Sequence, residues 1–258
     1  MPSENTPMPS KLIILGANGA LGSQVTRLAL QAGHAVTAVA RNPAKLERRE
    51  APGLTVHQAD IAALRVDELA ALVRGHDALI NTAGMVTQGE AFVALVDHIV
   101  TAVEALPATQ QPVCWFLAGA GLLDLDVRGR RGLDLPVVRK TYWPHARNLA
   151  RLQRSSLDWR LLCPGPMVAS APVGVARLRT STDKLPVAMP SFMGALPGVL
   201  ALPAFARRMP EMVVSYVDAA ALILANLLPD SPYKRRRVGL ALPEGMRGSK
   251  DQWSARKT

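Results

Sequence analysis

The sequence has few aromatic residues, few cysteines and no apolar run long enough to cross a lipid bilayer. Aromatic side chains make up 4% of the 258 residues. The longest apolar stretch, 192–205, is too short to span a membrane and is interrupted by Pro197 and Pro203. Residues 1–10 lack the apolar segment of a signal peptide. We therefore expect a globular cytoplasmic protein with no membrane partner.

The chain also lacks a cysteine framework and the spacing of a metal site. Its two cysteines, Cys114 and Cys163, lie in apolar runs that read as strands, so we expect two buried, reduced thiols. The five histidines are scattered through the chain and predict no metal site.

Acidic residues are outnumbered, with 20 Asp and Glu against 30 Lys and Arg, which gives a net charge of +10. This excess permits binding of nucleic acid or of any anionic ligand, including a phosphorylated cofactor. The one dense basic run is 234–237, and further basic residues follow it at Arg247, Lys250, Arg256 and Lys257. Because no aromatic residue interrupts the run, although Tyr233 flanks it, we interpret it as solvated surface and expect no nucleic acid partner.

The segment 11–22, KLIILGANGALG, reads as a strand, a glycine-rich turn and a helix. Four apolar residues precede Gly16, Gly19 and Gly22, and apolar residues then recur at helical spacing up to Gly33. Such a turn directs backbone N–H groups and the positive end of a helix at one point, which suits a pyrophosphate. Glycines also occur in tight turns without a ligand, but the start of an alternating α/β chain favours dinucleotide binding.

The second strand, 35–40, runs directly into Arg41. In a nucleotide-binding βαβ unit this position faces the adenosine ribose, where an acidic residue would bind the 2′-hydroxyl and an arginine would meet a 2′-phosphate. No acidic residue follows until Glu47. The sequence therefore favours NADP over NAD, the alternative being a surface arginine at the start of a loop.

Strands and helices continue to alternate along the chain, which predicts an α/β fold with a doubly wound parallel sheet. We expect a single domain over 11–242 with a substrate-side segment at 168–212, flanked by tails at 1–10 and 243–258. The further predicted strands are 54–58, 78–82, 113–117, 158–162, 212–215 and 237–241, and the predicted helices are 66–73, 91–106, about 145–154 and 219–228.

Three local features complete this interpretation. Pro144 suits the first turn of the fourth helix, after a loop over 122–141. Asp218 is predicted to cap the last helix, and Asp60 either caps the helix that follows it or lies beside the adenine, or does both. Ala83-Gly84 and 118–121 also follow strands, so they fall with the glycine turn, Arg41 and Asp60 on the rim where such sheets bind ligands.

Taken in order, the elements resemble an atypical short-chain dehydrogenase/reductase. The chain is most similar to the NAD(P)H-binding proteins described as NADH-flavin reductases and is akin to NmrA-like and biliverdin reductase B-like proteins. The resemblance covers 11 to about 242. It rests on GANGALG (16–22), VARNPAKL (39–46), INTAG (80–84), AGAGLLDL (118–125), SSLDWRLLCPGPMV (155–168) and MVVSYVDAAALIL (212–224). The last two motifs are more specific than the glycine motif, which many reductases share.

This resemblance implies a Rossmann fold with NADP bound along the rim. Arg41 would meet the 2′-phosphate, and Asp60 and Ile61 would flank the adenine. The pyrophosphate would lie against the glycine turn, at Gly16, Asn18, Gly19, Ala20 and Leu21. The path to the nicotinamide would be lined by Ala83, Gly84 and Ala118.

The chain departs from the short-chain dehydrogenase pattern at the proton relay. Ala118 stands at the serine position, and Tyr142 is followed four residues later by Ala146 instead of lysine, with Arg147 next. Cys163 replaces an arginine that is often found before the first proline of the sixth-strand motif. A Tyr/Lys alcohol dehydrogenase mechanism is therefore not expected.

Tyr142 and His145 are the groups near the cofactor with suitable proton chemistry. The alternatives are that Tyr142 packs under a loop and that His145 is a surface residue. Pro166 and Met167 would form a wall of the acceptor pocket, and Phe192 and Met193 a lid, with core packing as the alternative.

These features predict an NADPH-dependent reductase of a flavin, quinone or other small carbonyl acceptor, acting as a monomer or homodimer. A flavin or quinone can take its proton from solvent, and the cofactor carries the hydride step. A non-enzymatic NADP-binding regulator of the NmrA-like kind is the alternative, favoured by the missing relay. An epimerase fits less well without the Tyr/Lys pair.

Overall fold

Ten strands and six α-helices make up the part of the chain that the computed structural model describes, which is residues 10–46, 50–126, 128–189 and 198–249. The strands are β1 (Lys11–Leu15), β2 (Ala35–Ala40), β3 (Leu54–Gln58), β4 (Ala78–Asn81), β5 (Val113–Leu117), β6 (Trp159–Cys163), β7 (Met167–Val168), β8 (Arg179–Thr182), β9 (Val214–Ser215) and β10 (Arg237–Ala241). The helices are α1 (Ala20–Gln31), α2 (Val66–Val73), α3 (Glu90–Glu104), α4 (Pro136–Arg154), α5 (Gly198–Arg208) and α6 (Tyr216–Leu224).

Eight of these strands form one sheet in the order β3-β2-β1-β4-β5-β6-β10-β8. Its first six positions follow the Rossmann order, and β1 pairs with both β2 and β4 where the order reverses. The predicted doubly wound parallel sheet is confirmed. The exception is the edge strand β8, which pairs antiparallel with β10.

Helices cover both faces of the sheet. The core beneath α1 and α6 includes Val25, Ala29 and Ile223, and the core beneath α2, α3 and α4 includes Leu69, Ile99 and Leu152. Strands β4 and β6 are buried along their whole length, because helices lie on either side of them. This arrangement leaves the carboxyl ends of the strands as the edge on which loops can form a site.

The structure corrects the predicted start of the fourth helix. This helix, α4, begins at Pro136 and not near His145, so Pro144 lies inside it. Pro144 removes one helical N–H group, which normally interrupts a helix. Here the helix continues because its inner face is fixed by packing, with Pro144, Leu149 and Leu152 all buried.

The prediction that Asp218 caps the last helix is also wrong. Ser215 is the cap, since its hydroxyl accepts the N–H of Asp218 at 2.8 Å, and α6 ends at Leu224. The Asp218 carboxylate instead accepts the N–H groups of Val173 and Gly174 at 3.0 and 2.9 Å. Asp218 thereby fixes the segment after β7 to the start of α6.

The region 170–212 contains more regular structure than its sequence suggests, since β8 and α5 both lie in it. The strand predicted at 212–215 is reduced to β9, which pairs with β7 outside the main sheet. Residues 243–249, assigned to a tail, contact the body of the protein through Gly248, whose N–H group donates to the Pro210 carbonyl oxygen at 2.8 Å.

Three of the four residues of the basic run, 234–236, are exposed, and Arg237 is the exception. Arg237 opens β10 with 14% of its side chain exposed and forms ion pairs with Asp124 at 2.9 Å and Asp183 at 3.2 Å. Lys234 lies 3.9 Å from Asp158. Lys250, Arg256 and Lys257 lie outside the described residues.

Both cysteines are buried and free, as expected. Burial raises the pKa of each thiol, Cys114 and Cys163. Within the described ranges, no helix has both the length and the apolar character that crossing a bilayer requires. The same part of the chain contains no group of three or more His, Cys, Asp or Glu side chains placed to hold a metal ion.

Candidate cofactor site

The glycine-rich turn between β1 and α1 packs directly against the end of β4. Gly16 has φ of +80°, and a Cβ atom there would lie 2.7 Å from the backbone nitrogen of Ala83. A Cβ atom at Gly22 would lie 2.4 Å from the Gly16 carbonyl oxygen and 2.7 Å from the Thr82 hydroxyl oxygen. Both positions therefore require glycine, and the turn is held in one conformation.

The first turn of α1 presents unpaired backbone donors at this edge. The N–H groups of Ala20, Leu21 and Gly22 precede the first intrahelical bond, which Ser23 N makes to the Gly19 carbonyl at 2.9 Å. Gly19 occupies the cap position, and no side chain among the described residues caps the helix. These donors and the helix dipole fit a pyrophosphate, which could approach Gly19 without meeting a side chain.

Asn18 links this turn to the end of β2. Its amide Nδ2 donates to the Asn42 carbonyl, while its Oδ1 is buried and has no hydrogen-bond partner in the described structure. Arg41 precedes Asn42, is exposed and forms no ion pair within the described part of the chain. Its guanidinium group is therefore available to an anionic ligand on the same edge.

Asp60 and Ile61 have different surroundings in the structure: Asp60 is exposed and Ile61 is buried. Asp60 is exposed, and its Oδ1 accepts the Ala62 N–H at 3.2 Å within a turn. It does not cap α2, which begins only at Val66. Ile61 is 6% exposed and belongs to the core cluster, so little of its side chain is open to a ligand.

Thr82, which the sequence analysis did not single out, connects β4 to the glycine turn. Its hydroxyl lies 2.8 Å from the Leu15 carbonyl oxygen and 3.1 Å from that of Gly16. The neighbouring Asn81 is 3% exposed and accepts the Ala83 N–H at 3.1 Å. Ala83 and Gly84 are thereby held beside Gly16.

The loop after β5 supplies the next part of the edge. Ala118 is 9% exposed, its N–H donates to the Leu162 carbonyl at 2.8 Å, and it carries no hydroxyl group. Leu21, Asn81 and Leu117 line part of a narrow cleft between the strand ends, which has no room for a water molecule. The structure thus brings together the predicted positions in the glycine turn, after β4 and after β5.

Tyr142 and His145 lie next to each other on α4. Their rings are stacked, with centroids 6.1 Å apart and planes inclined by 15°. Tyr142 is 39% exposed, whereas His145 is 7% exposed and makes an edge contact with Phe92 at 5.8 Å. A Cβ atom at Gly119 would lie 3.5 Å from His145 Nε2, which puts the imidazole beside the loop after β5.

Burial lowers the pKa of His145 from 6.5 to about 4. The imidazole is therefore neutral near pH 7. In that form it carries one N–H donor and one acceptor nitrogen.

Arg147, which follows Ala146 on α4, is held by partners away from Tyr142. The Arg147 guanidinium group bonds Glu90 at 2.7 Å and lies 5.8 Å from the centre of the Trp143 ring. These partners hold Arg147 on the α3 side of the helix.

Pro166 and Met167 follow β6 on the same edge and are both half-buried. The Pro166 carbonyl accepts the Val214 N–H at 3.2 Å, and Met167 pairs with Val214 as part of β7. Met167 also packs against the core beneath α1 and α6. Phe192 and Met193, expected to form a lid, lie outside the described residues.

Known proteins share this architecture. The chain is 28% identical over 161 residues to the Bacillus subtilis protein YwnB, a match that covers 60% of this chain and 71% of YwnB. A proposed epimerase from Bacteroides thetaiotaomicron has a similar fold, with a TM-score of 0.67, 21% identity and coverage of 93% of this chain and 100% of its own. A proposed NADH-flavin reductase from Streptococcus pneumoniae gives a TM-score of 0.64 and 20% identity, with coverage of 90% and 99%.

The model of the NAD(P)H-binding family matches residues 16–188, a range that begins at the first glycine of the turn and runs beyond β8. The match includes the strand ends after β1, β2, β4 and β5 described above. With its Rossmann sheet and the uncapped first turn of α1, the chain belongs to the NAD(P)H-binding family.

Proposed function

We propose that this protein is an NADPH-dependent reductase that passes a hydride to a flavin, a quinone or another small carbonyl acceptor. The observation that carries the proposal is a continuous edge, in which unpaired N–H groups of α1, the exposed Arg41 and the small residues after β4 and β5 follow one another. The similarity in fold to a proposed NADH-flavin reductase is consistent with it.

In this proposal each part of the edge binds one part of the cofactor. Arg41 binds the 2′-phosphate, and Asp60 with the exposed margin of Ile61 borders the adenine. The pyrophosphate is held by the turn at Gly16, Asn18, Gly19, Ala20 and Leu21, and the nicotinamide lies against Ala83, Gly84 and Ala118. When bound, the reduced nicotinamide supplies the hydride.

On the acceptor side, the exposed Tyr142 ring offers a surface against which a planar acceptor can stack, and its phenol can polarise a carbonyl. The neutral His145 offers a hydrogen bond from beneath. Pro166 and Met167 form the opposite wall. Since reduced flavins and quinones can also be protonated by water, the absence of a Ser/Tyr/Lys relay does not prevent their reduction.

We further propose a cytoplasmic protein, monomeric or homodimeric, that acts on a small molecule and not on nucleic acid. Two buried free thiols fit a reducing compartment. The basic run fits a structural role, because Arg237 is occupied by Asp124 and Asp183.

The test is NADPH oxidation with a panel of riboflavin, FMN and quinones, together with a direct titration of NADPH against the protein by fluorescence. We expect saturable binding of NADPH and acceleration by at least one acceptor. Binding of NADPH with no acceleration by any acceptor would contradict the reductase proposal.

That last outcome would support the second candidate, a non-enzymatic NADP-binding regulator. The observation in its favour is that Ala118 and Ala146 occupy the relay positions. A regulator of this kind would bind NADPH and NADP with a change in conformation that a partner protein could detect. Comparing proteolytic cleavage patterns with each nucleotide would reveal such a change.

A further inference from the structure

Two polar side chains on the inner face of α4 are buried without the hydrogen bonds they require. His145 and Asn148 are 7% and 4% exposed. Three of their atoms, His145 Nδ1 and both Asn148 amide atoms, have no hydrogen-bond partner among the described residues. Both belong to one helix face and are three residues apart.

An unpaired buried polar atom costs about 1–3 kcal/mol, so native proteins satisfy such groups with protein atoms or with ordered water. Side chains three residues apart on a helix have Cβ atoms about 5–6 Å apart. A single water molecule can bridge groups at this spacing, and buried water molecules typically make about three hydrogen bonds. His145 Nδ1 and the Asn148 amide would provide two or three of these.

The orientation of the imidazole determines which parts of the structure its two nitrogens face. Nε2 is the nitrogen that faces Gly119, in the loop after β5. Nδ1 is on the other side of the ring and is completely buried. The two nitrogens therefore connect the loop at the acceptor side with the interior where Asn148 lies.

We propose that Asn148 is a positioning residue that holds an internal water against His145 Nδ1 and so makes the neutral imidazole a proton conductor. This inference rests on the proposed reductase function. The acceptor gains a hydride and becomes an anion, and His145 Nε2–H gives it a proton. In the same step Nδ1 takes a proton from the water, which becomes hydroxide. Once the product has left, Nε2 takes a proton from solvent and Nδ1 returns its proton to the hydroxide. The histidine therefore stays neutral, the Nε2–H tautomer is restored, and one solvent proton is consumed for each hydride.

This path requires the Nε2–H tautomer at rest, with Nδ1 as the acceptor of the hydrogen bond from water. His145 can take part in this path although its pKa is near 4, because a residue that passes a proton on need not be protonated on both nitrogens beforehand. The path takes the place of a relay in a chain that has Ala118 and Ala146 at the usual positions.

The experiment compares Asn148→Leu, which removes the polar atoms at similar volume, with Asn148→Ser, which keeps a hydroxyl and leaves room for water. Leu149→Met is the control, since it changes a buried neighbour on the same helix without touching a polar group. Three quantities are measured in each variant: kcat with a quinone acceptor, NADPH affinity, and the imidazole nitrogen chemical shifts of His145.

We expect Asn148→Leu to lower kcat about tenfold, because proton transfer by a positioned group contributes about 10²–10⁴ to rate. NADPH affinity should stay within about twofold, and Asn148→Ser should recover kcat to within about threefold of the unaltered protein. The nitrogen shifts should report Nε2–H in the unaltered protein and a mixture of tautomers in Asn148→Leu.

Two results would overturn the inference in different ways. If kcat and the nitrogen shifts are unchanged in Asn148→Leu while quinone is reduced, the water path is wrong and the reductase function stands. If NADPH binds but no acceptor is reduced by any variant, the reductase function fails and the conduction step fails with it.

Discussion

Replacing Arg41 with alanine should weaken the binding of NADPH much more than the binding of NADH. Arg41 follows β2 directly, is exposed and has no ion-pair partner in the described structure, so its charge is free to act on a ligand. The carbonyl of the next residue, Asn42, is bound by Asn18 from the glycine turn. Loss of the Arg41 side chain therefore leaves the turn in place and removes a charge from the edge.

The size of the expected loss in NADPH affinity follows from the exposure of Arg41 to solvent. Two unit charges at 4 Å in water interact by about 1 kcal/mol, and a phosphate monoester carries about −1.5 to −2 charges at pH 7. Screening by salt reduces this interaction to about 1 to 1.4 kcal/mol, so we expect a loss of about 5- to 10-fold in NADPH affinity. NADH lacks the 2′-phosphate, so its affinity should change by less than about twofold.

Isothermal titration of both nucleotides into the protein and into Arg41→Ala measures this difference. Arg74→Ala is the matched control, because Arg74 is exposed at the end of α2, on the opposite edge of the sheet. Raising the ionic strength should weaken NADPH more than NADH in the unaltered protein only. Equal losses for both nucleotides in Arg41→Ala would refute the assignment of the 2′-phosphate to Arg41.

Three further outcomes follow from the structure. Gly22→Ala should lower the melting temperature by about 5 °C and weaken NADPH binding, because the new Cβ atom would lie too close to the Gly16 carbonyl oxygen. An unchanged melting temperature in calorimetry would contradict this prediction. Asp218→Asn should speed proteolysis near Val173 and Gly174, since an amide cannot accept both N–H groups as a carboxylate does; mass spectrometry of the fragments would locate the cuts. The pKa of His145 is lowered to about 4, so between pH 6.5 and 4 the unfolded chain binds more protons than the folded protein. The free energy of unfolding should therefore be highest above pH 6.5 and should fall by about 3 kcal/mol as the pH drops to 4. Urea unfolding of His145→Phe should lose this part of the pH dependence.

The strands of the sheet could be predicted where apolar runs are bounded by glycine or by polar turns. β2, β3, β5 and β10 have the predicted bounds. The antiparallel edge strand β8 could not be found in this way, because its sequence RTST has no apolar run. Its position depends on backbone pairing with β10 and on the ion pair of Arg237 with Asp183, which are contacts between distant parts of the chain.

The start of α4 shows a second limit. Residues 122–141 are rich in Asp, Arg and Gly, which predicts a loop, and Pro144 suits a helix beginning, so local preference put the start of the helix too late. The actual start depends on packing: a Cβ atom at Gly121 would lie 3.4 Å from Val138 Cγ1, which shows how closely this first turn approaches the loop after β5. Local sequence carries no record of that contact.

At the candidate site, the glycine turn could be predicted from the spacing of its glycines, although contacts with β4 also require Gly16 and Gly22. Thr82 and His145 could not be predicted, because their roles depend on neighbours supplied by the fold. Thr82 contacts the turn only because β1 and β4 are adjacent. The pKa of His145 falls because the ring is buried beside Phe92 and Tyr142. A histidine in the same sequence but on the outer face of α4 would titrate near pH 6.5.

In the proposed function, the cofactor side and the acceptor side of the edge therefore need different kinds of residue. The cofactor side needs backbone N–H groups and small residues, which the close contact of Gly16 with β4 keeps in place without any reactive side chain. In the proposed function, the acceptor side has one neutral imidazole and a partly exposed phenol in place of a charged relay. Acceptors whose reduced form is stable as an anion or is rapidly protonated in water should react fastest. A simple ketone, which forms a strongly basic alkoxide, should react slowly, because neither His145 nor Tyr142 is supported by a nearby lysine.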